Sequence, residues 1–180
     1  EEKPKEVVKR KKKLVVSTEP EPVLFSVADE SKGPNRVFSP EFVIATLVDG
    51  VSYPTVEHYM AVQKARKFAD EKAVQKIMKA KSAKSAKGVG IEGVKEEEWD
   101  AVKDDFMRII LRAKFTQHPE LRTQLLETGT VALGYANARD KYWSIGTSED
   151  TDKAKKPSKW PGKNRIGVIL GELRETLRTE

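Results

Sequence analysis

The sequence contains no cysteine. Disulfides, thiolate metal sites, iron–sulfur clusters and thiol catalysis are therefore excluded together. Histidine is nearly as scarce, with only His58 and His118. A three-histidine centre is impossible, and neither a metal nor a cofactor is expected. Aromatic residues make up only 7% of the chain. No apolar run approaches the ~18 residues of a membrane span, and no signal-peptide pattern opens the chain. A soluble, intracellular, cytoplasmic protein without a membrane partner is expected. What is present, 180 residues, suffices for one domain with a core of its own.

The charge is unevenly placed. The chain carries 34 basic and 28 acidic residues, a net of +6. Residues 1–13 hold seven Lys/Arg against three Glu, which leaves only +2 for residues 14–180. The high pI thus belongs largely to the N-terminal segment and does not by itself mark a basic nucleic-acid-binding domain. Residues 1–20, rich in charge and poor in large apolar side chains, read as a basic disordered tail or linker, followed by one domain over 21–180. The run Lys9-Arg10-Lys11-Lys12-Lys13 has the composition of a nuclear address or a polyanion contact, although a solvated linker is the plainer reading. The chain opens on Glu1, as a fragment or trimmed chain does.

The local pattern predicts an α+β, helix-rich domain with a small sheet near its N-terminal end. Val23-Leu24-Phe25, Phe42-Val43-Ile44, Leu47-Val48 and Val51-Ser52-Tyr53 read as short strands, and Asp49-Gly50 is a hairpin signal. Thr55 caps a helix to about Phe68. Shorter helices follow near 71–80 and 82–88. Trp99, Val102, Phe106, Ile109, Ile110 and Ala113 recur at helical spacing and predict one helix over 96–116. Further helices are expected at 119–127 and 164–178, with a strand over Val131 to Tyr135 and a loop over 144–161.

Three groupings could carry chemistry. Glu57, Ala61 and Lys64 share one helical face, with the charged pair about 10 Å apart along the axis. The carboxylate sits in the first turn, where the dipole favours it. A solvated face with a weak ion pair is the plain alternative. Tyr53, Trp99, Trp143 and Trp160 lie beside polar residues and could stack on a base or simply belong to the core. In Gly162-Lys163-Asn164-Arg165, a glycine turn enters a helix whose free N–H groups could hold phosphate. The basic stretch at Lys76, Lys79, Lys81, Lys84 and Lys87 reads as a solvated face or a nucleic-acid rim. His58 reads as a packed residue rather than a base.

In combination these stretches resemble the NADAR family, also called YbiA-like. The resemblance is carried by Asp49-Gly50-Val51-Ser52-Tyr53-Pro54-Thr55-Val56-Glu57-His58-Tyr59 with Gln63-Lys64, and by Trp99-Asp100-Ala101-Val102-Lys103. It continues through Met107-Arg108, Leu111-Arg112-Ala113-Lys114-Phe115, Pro119-Glu120-Leu121-Arg122, Leu125-Leu126 and Thr128-Gly129. It ends with Asp140 to Trp143 and Gly162-Lys163-Asn164-Arg165-Ile166-Gly167. It spans about residues 25–178, and the order and spacing of four separate motifs make it specific. Two departures stand out: Ser39-Pro40-Glu41 where many relatives have Ser-Asn-Phe, and Trp143-Ser144-Ile145-Gly146 with a longer following loop where many have Trp-Gly-x-Gly.

The resemblance implies a YbiA-like fold and an N-glycosidase, a hydrolase that cleaves the bond between ribose C1′ and an amino nitrogen. It implies two substrate classes: guanine bases of nucleic acid carrying ADP-ribose, and phosphorylated ribosylamino-pyrimidine intermediates of riboflavin biosynthesis. It casts Glu57, Lys64 and Asp140 as catalytic residues. It places Tyr53, Gln63, Trp99 and Trp143 around the substrate, with Lys163, Asn164 and Arg165 on phosphate. A Schiff base on Lys64 and a two-carboxylate hydrolysis by Glu57 and Asp140 are the competing mechanisms. A module that binds ADP-ribose without cleaving it is the alternative from a different class.

Overall fold

The computed structural model describes residues 19–27 and 33–180. The Lys9–Lys13 run and nearly all of the expected tail lie outside the described residues. The elements in chain order are β1 (Val23–Phe25), a 3₁₀ turn (Pro34–Phe38), β2 (Thr46–Val48) and β3 (Val51–Tyr53). The helices are α1 (Val56–Lys67), α2 (Glu71–Met78), α3 (Ala83–Lys87), α4 (Glu96–Asp100), α5 (Lys103–Gln117) and α6 (Pro119–Glu127). Strand β4 (Leu133–Tyr135), a second 3₁₀ turn (Pro157–Lys159) and α7 (Arg165–Thr179) complete the chain. The class is α+β and helix-rich.

The strands form two separate pairs. β2 and β3 run antiparallel, with Thr46 opposite Tyr53 and Val48 opposite Val51. Asp49 (φ 49°) and Gly50 (φ 77°) both take the left-handed conformation required between them, as in a type I′ turn. β1 pairs in parallel with β4, Val23 opposite Leu133 and Phe25 opposite Tyr135, so the N-terminal strand recruits its partner from late in the chain. The strand expected over Phe42 to Ile44 is irregular. Its Val43 points to solvent at 74% exposure, although the Ile44 N–H still donates to the Pro54 carbonyl at 3.0 Å.

The helix expected over 96–116 is two helices. Val102 leaves helical geometry at φ −125°, ψ −13°, and α5 starts afresh with Asp104 and Asp105 in its first turn, where the dipole favours carboxylates. Neither Gly nor Pro marks the break, so the apolar periodicity runs straight through it. The break lets Trp99 stack on Phe106, with ring centroids 5.7 Å apart at 19°.

Helix α5 lies against α1, α6, α7 and β2. Ile110, Leu111 and Phe115 on its buried face are fully excluded from solvent. Phe38 stacks on Phe115 (6.0 Å) and meets Phe25 edge-on (5.8 Å), and Phe25 stacks on Tyr135 (5.6 Å), linking both sheet strands to α5. Lys114 enters this core. It is 1% exposed, and its ammonium donates to the carbonyls of Val37 (2.6 Å) and Ser39 (3.1 Å). Burial pushes its pKa down from 10.5 to about 7. Those two bonds hold the turn that delivers Pro40 and Glu41 to the edge of the site.

Candidate active site

Helix α1 starts where it does because Thr55 caps it: its hydroxyl oxygen accepts the His58 N–H at 3.2 Å. The Pro40 carbonyl takes the Glu57 N–H at 3.2 Å. His58 is 1% exposed. One ring nitrogen meets the Thr55 hydroxyl (2.8 Å) and the other the Ala80 carbonyl (3.1 Å), so its ring braces α1 against the end of α2. That is the packed role its sequence context suggests. Glu57, Met60, Ala61 and Lys64, at helical spacing, then face a cavity of about 370 Å³. Trp99, Met107 and Trp143 also line it, with Val89, Ile91 and Val94 from the segment that joins α3 to α4.

Four of the residues expected in the site thus meet at one cavity: Glu57, Lys64, Trp99 and Trp143. Glu57 and Lys64 do not pair with each other. Lys64 reaches Glu96 at 3.0 Å and stands 5.9 Å from the Trp99 ring centroid. Glu57, with a side chain only 13% exposed, reaches Lys87 at 3.5 Å. Its charge, with those of Asp140 and Glu41, raises the Lys87 pKa. Sequence reasoning missed both Glu96 and Lys87 as lining residues. Lys87 was legible only as one of several lysines, and its contact with Glu57 depends on α3 folding back on α1. Lys87 also borders a second, more polar cavity of about 750 Å³, lined in part by Ser26, Glu41, Asn137, Arg139, Glu149 and Asp150. The Tyr135 hydroxyl is buried near this junction without a well-formed hydrogen bond; Asn137 is its polar neighbour. Burial and the charges of Glu57 and Glu41 raise its pKa.

The other expected site residues lie elsewhere. Tyr53 is a core residue, 1% exposed, edge-on to Tyr59 at 5.1 Å, and its hydroxyl accepts from Arg66 at 3.3 Å. Gln63 does not line the cavity. Asp140 does not line it either; its Oδ1 accepts the N–H groups of Tyr142 and Trp143, each at 2.8 Å, and this fixes the turn that presents Trp143.

At the start of α7 the backbone N–H groups are engaged within the fold. The N–H groups of Lys163, Asn164, Arg165 and Ile166 already donate to the carbonyls of Lys141, Ser144, Tyr142 and Trp143, at 2.7–3.2 Å. The Asn164 side chain accepts from the Tyr135 N–H (3.1 Å) and donates to the Leu133 carbonyl (2.8 Å), clamping β4. The Arg165 guanidinium pairs with Asp104 at 2.8 Å, which also accepts the Tyr142 hydroxyl at 2.8 Å. Burial and this carboxylate push the Tyr142 pKa up to about 12. Lys163 is exposed, its ammonium 5.2 Å from the Tyr142 ring centroid. Gly162 and Gly167 are required by contact: a Cβ would fall 2.2 Å from the Ser144 carbonyl oxygen or 2.0 Å from that of Leu133. Among the described residues no cluster of His, Asp and Glu could hold a metal, and no helix is long and apolar enough to cross a membrane.

Comparison with known proteins identifies the family and the fold. The NADAR domain family matches residues 11–178. N-glycosidase YbiA of Escherichia coli is 40% identical over 135 residues, 74% of this chain and 76% of that protein. Its NMR structure superimposes with a TM-score of 0.69, at 33% identity, over 89% of this chain and 88% of that one. An N-glycosidase of Acanthamoeba polyphaga mimivirus is 32% identical over 160 residues, 85% of this chain and 94% of that protein. A riboflavin biosynthesis protein of Vibrio vulnificus is 30% identical over 160 residues, 88% of this chain and 39% of that longer protein. With the family matched across most of its length and a YbiA-like fold beneath the site, the chain belongs to the NADAR family and is a hydrolase of its N-glycosidase class.

Proposed function

We propose that this enzyme removes ADP-ribose from guanine bases in nucleic acid by hydrolysing the bond between ribose C1′ and the exocyclic amino nitrogen. The observation that carries the reading is the convergence of Glu57, Lys64, Trp99 and Trp143 on one cavity of about 370 Å³. That is a volume suited to a base and its sugar. The indoles and the methionines give an apolar surface for the planar base. Lys64 and Glu57 stand on the same helix face, where a sugar carbon between them would meet a nucleophile and a carboxylate.

The reaction runs in balanced steps. The ribosylamine opens to a protonated imine. Lys64 passes its ammonium proton to the Glu96 carboxylate it contacts, the freed amine adds to C1′, and the base amine leaves with a proton, which yields a Schiff base on Lys64. Water then adds to C1′, and release of Lys64 gives the free sugar. Glu57 moves the protons and stabilises the cationic carbon. The geometry favours this route over a two-carboxylate hydrolysis because Asp140 has one carboxylate oxygen committed to the Tyr142 and Trp143 N–H groups. Asp140 then acts by positioning Trp143. Of the residues expected on phosphate, Lys163 alone keeps a charge with no ion pair among the described residues.

A second reading is hydrolysis of a phosphorylated ribosylamino-pyrimidine, the same chemistry on a smaller substrate. The name of the Vibrio vulnificus relative supports it. The test is mass-spectrometric release from an oligonucleotide bearing ADP-ribosyl guanine, with Lys64→Ala as control and borohydride added to trap the intermediate. Release of ADP-ribose, lost in the variant, with an adduct on Lys64 in the wild type, is the expected result. No release from the oligonucleotide but turnover of the pyrimidine substrate transfers the assignment to the second reading. Release without an adduct removes the Schiff base. Glu57→Gln is expected to bind and not turn over, whereas in a non-catalytic binder it would change nothing that an activity assay reads.

A further inference from the structure

We infer that the outer face of α2 and α3 is a docking track for a nucleic-acid strand, leading into the cleft. The inference rests on the nucleic-acid reading above and assigns it a surface. Residues 72–87 hold six lysines and no Asp or Glu. Since residues 14–180 total only +2, everything else in that span is net negative. The excess positive charge of the described domain lies in two stretches without Asp or Glu, residues 72–87 and residues 153–165, and the first of these reaches the cleft through Lys87.

The fold turns this sequence bias into a surface. On α2, Lys72 and Lys76 are four apart and Lys79 follows three later, so all three fall on one stripe. The buried residues Ala73, Val74 and Ile77 point another way. Lys81 lies in the connection and Lys84 and Lys87 on α3; all six lysines are exposed. Lys72, Lys76, Lys79, Lys81 and Lys84 form no ion pair among the described residues. Asp70 feels Lys72 and Lys76, but its carboxylate is held first by the Glu92 and Ala73 N–H groups. The track is continuous with the site: Lys84 lines the second cavity, and Lys87 borders both cavities and contacts Glu57. A row of unpaired ammonium groups ending at the cleft fits a phosphate backbone whose modified base enters there. Such contacts position a strand without reading its sequence.

The test substitutes Lys72, Lys76, Lys79 and Lys81 together by Gln, leaving the cleft-lining Lys84 and Lys87 in place. All four are exposed, so folding is preserved. Binding of a fluorescent single-stranded oligonucleotide is followed by anisotropy across a salt series. In parallel, hydrolysis is measured on an ADP-ribosyl guanosine monomer and on the modified oligonucleotide. The basic N-terminal segment is common to both proteins, so their difference reports on α2 and α3. The expected result is at least about tenfold weaker oligonucleotide binding at low salt and a salt slope shallower by ~2–3, at ~0.7 per lost phosphate contact. The monomer should turn over as in the wild type. Equal affinities and equal slopes overturn the track. So does lost binding to vesicles containing phosphatidylserine when oligonucleotide binding is unchanged. Failure of the wild type to act on the oligonucleotide or the monomer refutes the substrate reading instead, and the anisotropy difference still decides the surface.

Discussion

Replacing Lys114 by methionine should stabilise the protein at neutral pH and lose that advantage as the pH rises. A buried ammonium group with no carboxylate beside it is costly, and burial is the sole cause of its lowered pKa, about 7 against 10.5. Below pH 7 the lysine is charged in both folded and unfolded chains, and the folded chain bears the full desolvation cost. Between pH 7 and 10.5 the unfolded chain holds a proton that the folded chain has released, so stability rises with pH across that window. At about 1.4 kcal/mol per pH unit, the cost removed over the whole window is at most about 5 kcal/mol. Of that, at most about 3 kcal/mol falls between pH 7 and 9.

Methionine removes the charge and keeps the length of the side chain. It also takes the donor from two carbonyls, but unequally. The Ser39 oxygen still accepts the Phe42 N–H at 3.2 Å, so Val37 bears most of the loss, roughly 1–3 kcal/mol. Lys114→Met should therefore be more stable than the wild type by about 2 kcal/mol at pH 7. The two should converge near pH 9, and the wild type should lead above it. Urea unfolding of both proteins at pH 6, 7, 8, 9 and 10 measures this, because every other titrating group cancels in the difference. A stability difference independent of pH would refute the reasoning, since it would mean that Lys114 does not titrate in the folded chain near neutrality.

Four further outcomes follow from packing and from the lining of the cavity. Asn164→Ala removes both clamps on β4 and places a Cβ-bearing residue without a polar side chain at φ 50°; a loss of about 2–4 kcal/mol is expected in urea unfolding. Gly167→Ala drives a methyl group to 2.0 Å from the Leu133 carbonyl oxygen. It should cost more than about 3 kcal/mol or abolish soluble expression, whereas Gly171→Ala on the same helix, with open space around it, should stabilise by up to about 1 kcal/mol. Trp143→Ala should raise KM with a melting temperature close to that of the wild type, because the ring is only part-buried and lines the cavity. A large melting shift with unchanged KM would place the indole in the core rather than the site.

Local sequence signals made much of the fold legible where they were self-contained. Asp49-Gly50 specified its hairpin, Thr55 its cap, and the spacing of Glu57, Ala61 and Lys64 the face that lines the cavity. What remained hidden depended on partners far away in the chain. The pairing of β1 with β4 joins residues about a hundred positions apart. The break at Val102 has no breaker residue and is felt only through Trp99 packing on Phe106. Tyr53 looked like a wall of the site because it precedes Glu57, but strand alternation turns it to the buried face, opposite to Ser52. The partners of Lys64 and Glu57 were likewise set by α3 and α4, not by each other.

The start of α7 gives a more instructive case. A glycine turn with Lys163 and Arg165 before a helix has the composition of an anion site, and cations there are locally unfavourable to the helix dipole. In the fold another part of the chain meets that dipole: the carbonyls of residues 141–144 take its free N–H groups, and Asp104 neutralises Arg165. The same contacts fix the turn in which Asp140 holds the Trp143 N–H and presents its ring to the cavity. The motif therefore serves the site through the loop it anchors. The absence of a Cβ at Gly162 and Gly167 lets backbone reach backbone, Asn164 fastens β4, and the loop thus anchored sets one wall of the cleft. A residue pattern shared across a family can mark a functional site through the loop it anchors as well as through a ligand it binds.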